Sequence, residues 1–406
     1  LAFAVAPSQI TKFSQKIMTT KSPAAAPQNC FAQLQERLQK YPHQTAWLMY
    51  CRPGFEADCL QEAQRMARAQ QPVLAQPYVV QENSGFALLA VEQHAMRYDE
   101  LIFARQLLRV HSVLRPLPER DRLTPIVQAI CALKENFGEL YLEVPDTNDG
   151  KTLSAFTRRF QPLLEAALLE KGKLPNAAEG DTAGEDKAAH YRNYHLPRLH
   201  LFFPDTNTVV IASSDPYNSS AALMGIHRQN MPAEAPSRST LKLAEAIDVF
   251  MDKAAQVRML RSGMTAVDLG AAPGGWTWQM VKRGIRVTAV DNGPMKGVLA
   301  GHKLVIHLRQ DGFKFQPARN VDWLICDMIE KPAKVASLME TWFVSGWCKQ
   351  AIFNLKLPMK QRLSAVDSAL GGIRKRLDEE GINYRLSAKQ LYHDREEITV
   401  FLSKTK

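Results

Sequence analysis

The sequence predicts an α/β protein. A doubly wound, Rossmann-like sheet with an antiparallel last strand fills residues 231–406, and two small α+β units precede it. Three observations predict this. Apolar strands and helical segments alternate regularly after residue 260. The run Ala266-Val-Asp-Leu-Gly-Ala-Ala-Pro-Gly-Gly-Trp276 joins a strand to a helix through a turn rich in glycine. The last two strands lie close together around Tyr392-His-Asp-Arg395, as in an antiparallel hairpin at the sheet end.

Residues 1–44 read as a disordered or helical extension, with a short amphipathic helix at 31–40; no basic leader precedes a long apolar core, so no signal peptide is expected. The first α+β unit spans 45–120, with strands near 46–50, 77–81 and 86–91, a helix near 56–69 and an apolar segment at 101–108. The second spans 121–230. It has an alternating strand at 139–144, a helix at 151–171, a polar loop at 175–187 and a hairpin from 198–203 to 208–212. Pro232-Ala-Glu-Ala-Pro236 reads as a linker. In the C-terminal unit, strands are expected near 265–269, 286–291, 304–310, 321–326, 350–357, 384–392 and 396–403. Helices are expected near 239–260, 276–283, 332–346 and 361–380.

The net charge is +10, and residues 231–406 hold 27 basic against 18 acidic side chains. Nearly all the excess therefore lies on the domain with the glycine turn, which favours a polyanionic substrate there, a basic surface kept for solubility being the alternative. Six scattered cysteines show no C-x-x-C and no zinc spacing, which suits a reducing cytosol and gives no metal site. No apolar run reaches the length of a membrane span. No apolar heptad or interface stripe is visible, so a monomer is expected.

The glycine turn carries the most chemistry. Strand, glycine turn, helix, strand and acid is the plan of a nucleotide-type cofactor site, with Asp291 at the second strand's end placed for ribose hydroxyls. The dinucleotide fingerprint G-x-G-x-x-G is not met, because Ala271 and Ala272 follow Gly270. Asp268 at the first strand's end would repel a pyrophosphate. S-adenosylmethionine has no phosphate and carries a sulfonium and an ammonium, so an acid there suits it better than NAD. A purely structural turn is the alternative. Parallel topology brings Asp291, Asp311, Asp327 and Lys356, each at or just beyond a strand's carboxyl end, to one rim. Lys242 lies one turn into the helix opened by Ser237-Arg-Ser-Thr, and Asp394-Arg-Glu-Glu397 opens the last strand.

In these motifs the chain resembles the FtsJ-like RNA 2′-O-ribose methyltransferases. Lys242, Asp327, Lys356 and Glu397 look like that family's Lys-Asp-Lys-Glu tetrad. The Ser-Arg-Ser-Thr-Leu-Lys-Leu entry, the Asp-Leu-Gly-Ala-Ala-Pro-Gly-Gly-Trp turn and Asn-Leu-Lys-Leu come in matching order. Over about residues 46–405 the chain is similar to members that methylate a cytidine 2′-hydroxyl of 23S rRNA. The resemblance implies a ferredoxin-like first unit, a THUMP RNA-binding second unit and a class I methyltransferase third. Partners would be 23S rRNA or an assembling large subunit, in the cytoplasm. For S-adenosylmethionine it implies Ser239 at the methionine carboxylate, Ala272, Pro273, Gly274 and Gly275 at the methionine end, Asp291 at the ribose, Asp311 at the adenine amino group, and Asp327.

A ribose 2′-hydroxyl is a poor nucleophile, and its proton must leave as it attacks the methyl group. Lys356 would take that proton if burial and Lys242 lower its pKa, or would stabilise the alkoxide as an ammonium. Asp327 would orient Lys356, and Glu397 would orient Lys242 or the ribose. The neighbouring Glu396 is the alternative to Glu397, since a slip of one residue exchanges faces. The blander readings are a solvated strand-end lysine at 356, a helix-surface charge at 242 and a turn former at Asp311. Trp276 and Trp278 read as helix packing, and His393 as a turn histidine bonded to backbone. The fourth strand reads Cys326-Asp-Met-Ile, with no Asn/Asp-Pro-Pro-aromatic motif, which argues against base methylation. Cys326 would point away from the site. A non-catalytic RNA-binding or assembly factor and an NAD oxidoreductase are the rival classes.

Overall fold

Two seven-stranded sheets carry the chain in the computed structural model, which describes residues 28–70, 76–78, 80–92, 96–175 and 195–405. The expected loop at 175–187 lies almost wholly outside the described residues, as do residues 1–27 of the expected extension.

The N-terminal half contains α1 (Gln28–Lys40), β1 (Gln44–Tyr50), α2 (Glu56–Gln70), β2 (Gln76–Tyr78), β3 (Phe86–Glu92) and β4 (Gln106–Leu114). Next come α3 (Leu123–Cys131), β5 (Glu139–Glu143), α4 (Asn148–Glu170), β6 (Arg198–Asp205) and β7 (Thr208–Ser214). Its strand order is β2-β3-β1-β4-β7-β6-β5. The two α+β units expected on either side of residue 120 thus form one continuous sheet. The cause is β4, which pairs antiparallel with β1 on one side and with β7 on the other. Neither unit is left with an open edge at the seam. Helix α1 covers that seam: Cys30, Phe31 and Leu34 are buried among Tyr50, Phe86, Val110, Phe202 and Ala212, drawn from both units. The short helix expected at 31–40 is thus α1, and it packs into the fold. The apolar segment at 101–108 is a buried loop followed by a strand that starts only at Gln106.

The C-terminal half contains α5 (Thr240–Phe250), α6 (Lys253–Met259), β8 (Thr265–Leu269), α7 (Gly275–Val281), β9 (Arg286–Val290), β10 (Val305–Leu308) and β11 (Val321–Cys326). Beyond them lie α8 (Pro332–Val344), β12 (Cys348–Lys356), α9 (Arg362–Glu379), β13 (Tyr384–Lys389) and β14 (Glu397–Lys404). The order β10-β9-β8-β11-β12-β14-β13 is parallel from β10 to β12, and β14 runs antiparallel to both neighbours. The hairpin predicted at the sheet end is present, but its second strand inserts beside β12 and leaves β13 at the edge. That insertion brings the start of β14 against the end of β12.

Helices α8 and α9 cover one face through Trp342, Phe343, Val366 and Ile373, while α5 and α7 cover the other through Ile247, Trp276 and Met280. The first of these cores continues into Met49, Phe55, Cys59 and Leu107, so the two sheets share one apolar interior.

Candidate active site

The glycine turn leaves β8 and enters α7 at the carboxyl edge of the parallel strands. Gly270 and Gly274 have φ of +77° and +116°, a left-handed backbone that glycine adopts without strain. Gly275 answers to space alone: a Cβ there would stand 2.1 Å from Ser239 Oγ and 2.7 Å from Ser237 Oγ. The entry to α5 is thereby pressed onto the turn, which places Ser239 beside Gly275. Asp291 closes the other side. Its Oδ2 accepts from the Ala272 amide at 3.0 Å and its Oδ1 from the Gly293 amide at 2.7 Å, and each oxygen keeps a lone pair for a further donor. Asp311 is exposed, with Oδ1 accepting from the Phe313 amide at 2.9 Å. Asp268 lies behind the turn, fully buried and bonded to Thr277 Oγ1 at 2.6 Å; burial pushes it up to about 7, against the Thr277 bond. Three rim carboxylates, at 291, 311 and 327, and a turn at 270–275 without basic side chains suit a cationic ligand such as S-adenosylmethionine.

The catalytic candidates meet where β11, β12 and β14 end or begin. Lys242 Nζ lies 2.6 Å from Glu397 Oε1, and 3.3 and 3.5 Å from the two oxygens of Asp327. Burial opposes the Lys242 charge, but Asp327 and Glu397 outweigh it and hold the ammonium above its ordinary value. Burial raises Asp327, against the pull of Lys242 and of Asn354, whose Nδ2 donates to Oδ1 at 2.7 Å. Glu397 is the glutamate facing this cluster; Glu396 turns outward to Arg362 at 3.2 Å. Lys356 lies opposite Glu397 in the β12–β14 register, yet its side chain is exposed and, among the described residues, makes no hydrogen bond or ion pair. Asp327 thus bonds Lys242 and makes no bond to Lys356, whose side chain is exposed and not buried as expected.

Lys356, Lys242 and Glu397 line a cleft of about 840 Å³ between the two halves. Its wall adds Arg52 and Arg105 from the N-terminal half and Arg238 and Arg395 from the C-terminal half. Arg52 Nη1 donates to the Asp394 carbonyl at 2.7 Å, which ties the β1–α2 loop to the β13–β14 turn. A basic cleft built from both halves is not foreseeable from the charge count, since the sequence places the excess charge on the C-terminal unit alone.

Asn354 and Thr399 are absent from the sequence-based candidates. Strand alternation could have found them, because each stands two residues from a candidate, at 356 and 397, and so on the same face. They are cross-strand partners, and Thr399 Oγ1 lies 2.8 Å from Asn354 Oδ1. For His393, it is the main chain that is held: its amide donates to Glu245 Oε2 at 2.9 Å, and its buried Nε2 has no partner among the described residues. Trp276 and Trp278 are buried. Cys326 is buried too, its thiol pushed up to about 12 by burial, which leaves no nucleophile there. Among the described residues no His, Cys, Asp and Glu group could hold a metal ion, and no helix is long and apolar enough to cross a membrane.

Three family models match the chain: FtsJ-like methyltransferase over residues 235–383, ribosomal RNA large subunit methyltransferase M, N-terminal, over 121–215, and the RlmM ferredoxin-like domain over 45–108. Ribosomal RNA large subunit methyltransferase M of Laribacter hongkongensis is 48% identical over 360 residues, 88% of this chain and 96% of that protein. The protein of the same name from Pectobacterium carotovorum is 47% identical over 363 residues, 87% of this chain and 94% of its own length. Among solved structures, Aeropyrum pernix fibrillarin with natively bound S-adenosyl-L-methionine aligns at 13% identity and a TM-score of 0.33. It covers 50% of this chain and 81% of that one, a likeness too slight to argue from.

Proposed function

The chain belongs to the ribosomal RNA large subunit methyltransferase M family, and from that premise we propose the reaction and the residues that perform it. It is an S-adenosylmethionine-dependent rRNA methyltransferase. The acceptor is the ribose 2′-hydroxyl of a cytidine in 23S rRNA, free or in an assembling large subunit, in the cytoplasm. The observation that carries this reading is Lys242 held between Asp327 and Glu397 beside an exposed Lys356, on the wall of a cleft lined by arginines. In this reading the protein acts as a monomer.

The cofactor supplies an electrophilic methyl group, and the side chains bind, orient and carry the proton. Ser239 and the turn 272–275 bind its methionine end, Asp291 its ribose hydroxyls and Asp311 its adenine, with Asp327 at the junction with the acceptor. Lys242, locked between two carboxylates, stays an ammonium and serves as a fixed positive charge. Lys356 has no counter-ion of its own among the described residues and is the group free to meet the 2′-hydroxyl. It either takes the proton when substrate covers it or, charged, stabilises the developing alkoxide. Arg52, Arg105, Arg238 and Arg395 hold flanking phosphates, so RNA affinity is strongly salt-dependent. The N-terminal half, whose second unit is read as THUMP-like, extends that surface. Much of the rate comes from holding hydroxyl and methyl in line.

The test is transfer of labelled methyl to 23S rRNA lacking its own modifications, with nucleoside analysis of the product. Label on 2′-O-methylcytidine is expected; label on a base would overturn the catalytic set. Lys356→Ala is expected to keep cofactor affinity and lose single-turnover transfer by about 10²-fold or more. An unchanged rate would remove Lys356 from its role.

A further inference from the structure

We propose that Asp394 is a neutral carboxylic acid that positions Asn354, and through it Asp327, by donating a hydrogen bond to Thr399. The purpose given to this series of side chains rests on the catalytic set proposed above; the protonation of Asp394 does not.

A count of protons leads to this assignment. Four side chains run in series from the cleft into the interior: Asp327, Asn354, Thr399 and Asp394. Asn354 Nδ2 meets Asp327 Oδ1 at 2.7 Å, Thr399 Oγ1 meets Asn354 Oδ1 at 2.8 Å, and Thr399 Oγ1 lies 3.0 and 3.1 Å from the two Asp394 oxygens. Each of the three contacts needs one hydrogen. The amide supplies one and the threonine hydroxyl has only one to give. If Asn354 donates to Asp327, then Thr399 must donate to Asn354, and the hydrogen between Thr399 and Asp394 must come from Asp394. With the Asn354 amide flipped, the extra proton would be needed on Asp327 instead. One end of the series is protonated in either case.

The surroundings decide which end. Asp327 stands beside the Lys242 ammonium and keeps part of its surface open to the cleft, both of which favour an anion. Asp394 has no exposed surface and no cation bonded to its carboxyl. Apart from Thr399, its only side-chain contact among the described residues is the Leu391 amide, donating to Oδ2 at 2.9 Å; Arg52 binds its main-chain carbonyl. The charged groups around it are Glu397 on β14 and Lys242 and Glu245 on α5. Burial first, then Glu397 and Glu245, push the carboxyl well above its usual range, against Leu391 and Lys242.

A neutral Asp394 gives the series one direction. Its hydrogen fixes the threonine hydroxyl, the hydroxyl fixes the amide, and the amide holds Asp327 with both oxygens toward Lys242. Asp394 is thus a positioning residue: it meets neither cofactor nor ribose. An ionised Asp394 would turn the threonine hydroxyl toward itself and leave Asn354 Oδ1 without a donor.

The test uses D394N, D394A and T399V in the full chain. Asparagine supplies a donor for Thr399 and an acceptor for Leu391, so D394N is expected to transfer methyl within about threefold of the parent and to keep the acid limb of its pH profile. D394A and T399V are expected to lose about 10- to 100-fold in kcat with little change in KM for S-adenosylmethionine. Infrared difference spectra of parent minus D394N at neutral pH should show the carbonyl band of a protonated carboxyl. The proposal is overturned if that band is missing, if folded D394N is as slow as D394A or has a displaced acid limb, or if T399V is as fast as the parent. If D394A does not fold, the other two variants decide. A band present together with undiminished transfer by Lys356→Ala would sink the catalytic set and leave the protonation of Asp394 standing.

Discussion

Asp268 shows how one residue can serve the fold at a cost that depends on pH. Its carboxyl is sealed behind the glycine turn with one hydroxyl donor, and burial raises it from an ordinary 3.8 to about 7. Between those values the unfolded chain has lost the proton and the folded chain has kept it. The stabilisation is therefore fully present below about pH 3.8 and is lost as pH rises toward about 7. Asp268→Asn keeps an acceptor for Thr277 and removes the titration. Thermal melts of the cofactor-free protein at about pH 4.5 and about pH 7.5, which span most of that window, should show a smaller fall for the variant than for the parent. An equal fall in both would mean that Asp268 is ionised in the fold. Resemblance to the family's motifs named Lys242, Asp327, Lys356 and Glu397 in the sequence; the structure places Lys242 in α5 and the other three at or beside strand ends. Their pairing was not legible. Which lysine Asp327 meets depends on how α5 packs against α7 and β14, and no spacing along the chain records that.

At the scale of elements, boundaries track local chemistry wherever a side chain marks them. The helix expected at 239–260 is two helices, because Met251 is extended and Asp252 caps the second, accepting from the Ala255 amide at 2.6 Å. An aspartate three residues before that amide is a cap signal present in the sequence. The insertion of β14 between β12 and β13 was not legible in the same way, since a hairpin pattern specifies pairing and not which strand faces the rest of the sheet. The junction of the α5 entry with the α7 start predicts a separable effect. Gly275→Ala adds a Cβ 2.1 Å from Ser239 Oγ and 2.9 Å from the Thr240 amide nitrogen, while the backbone conformation itself stays permitted. The entry segment must move off the turn. Stability should fall by about 1–3 kcal/mol, as for overpacking, and S-adenosylmethionine affinity, measured calorimetrically, should fall about tenfold or more, a loss of roughly 1.4 kcal/mol or more in binding. Affinity within twofold of the parent would mean that Ser239 and the turn do not form one binding wall.

At the scale of the whole molecule, the cleft exists only while the two halves are docked, and Lys389 is one of the side chains that span that junction, with Arg52, Arg65 and Arg362. Lys389 at the end of β13 is buried and donates to three main-chain carbonyls of the loop after β3: Tyr98 at 2.6 Å, Leu101, and Ala104 at 3.3 Å. Glu62 of α2 holds the same loop from its amides, accepting from Ile102 at 2.8 Å and Phe103 at 3.0 Å. That loop ends at Arg105, which lines the cleft beside Arg52. The latch therefore sets the position of the basic wall relative to Lys356. Nothing in the composition announces it, because a lysine at a strand end reads as a surface charge. Lys389→Met keeps the length and removes the donors, leaving the buried carbonyls without their partner. The loss should be roughly 3–5 kcal/mol, by the usual cost of leaving several buried acceptors unsatisfied. Calorimetry should show a Tm lower by about 5 °C or more, with the N-terminal half melting before the C-terminal half instead of with it. Below that transition the variant should bind S-adenosylmethionine as the parent does, because the glycine turn lies wholly within the C-terminal half, yet show a raised KM for RNA. An unchanged melt would show that the halves dock without help from Lys389. A raised KM for S-adenosylmethionine instead of RNA would show that the latch supports the methyltransferase sheet and not the cleft wall.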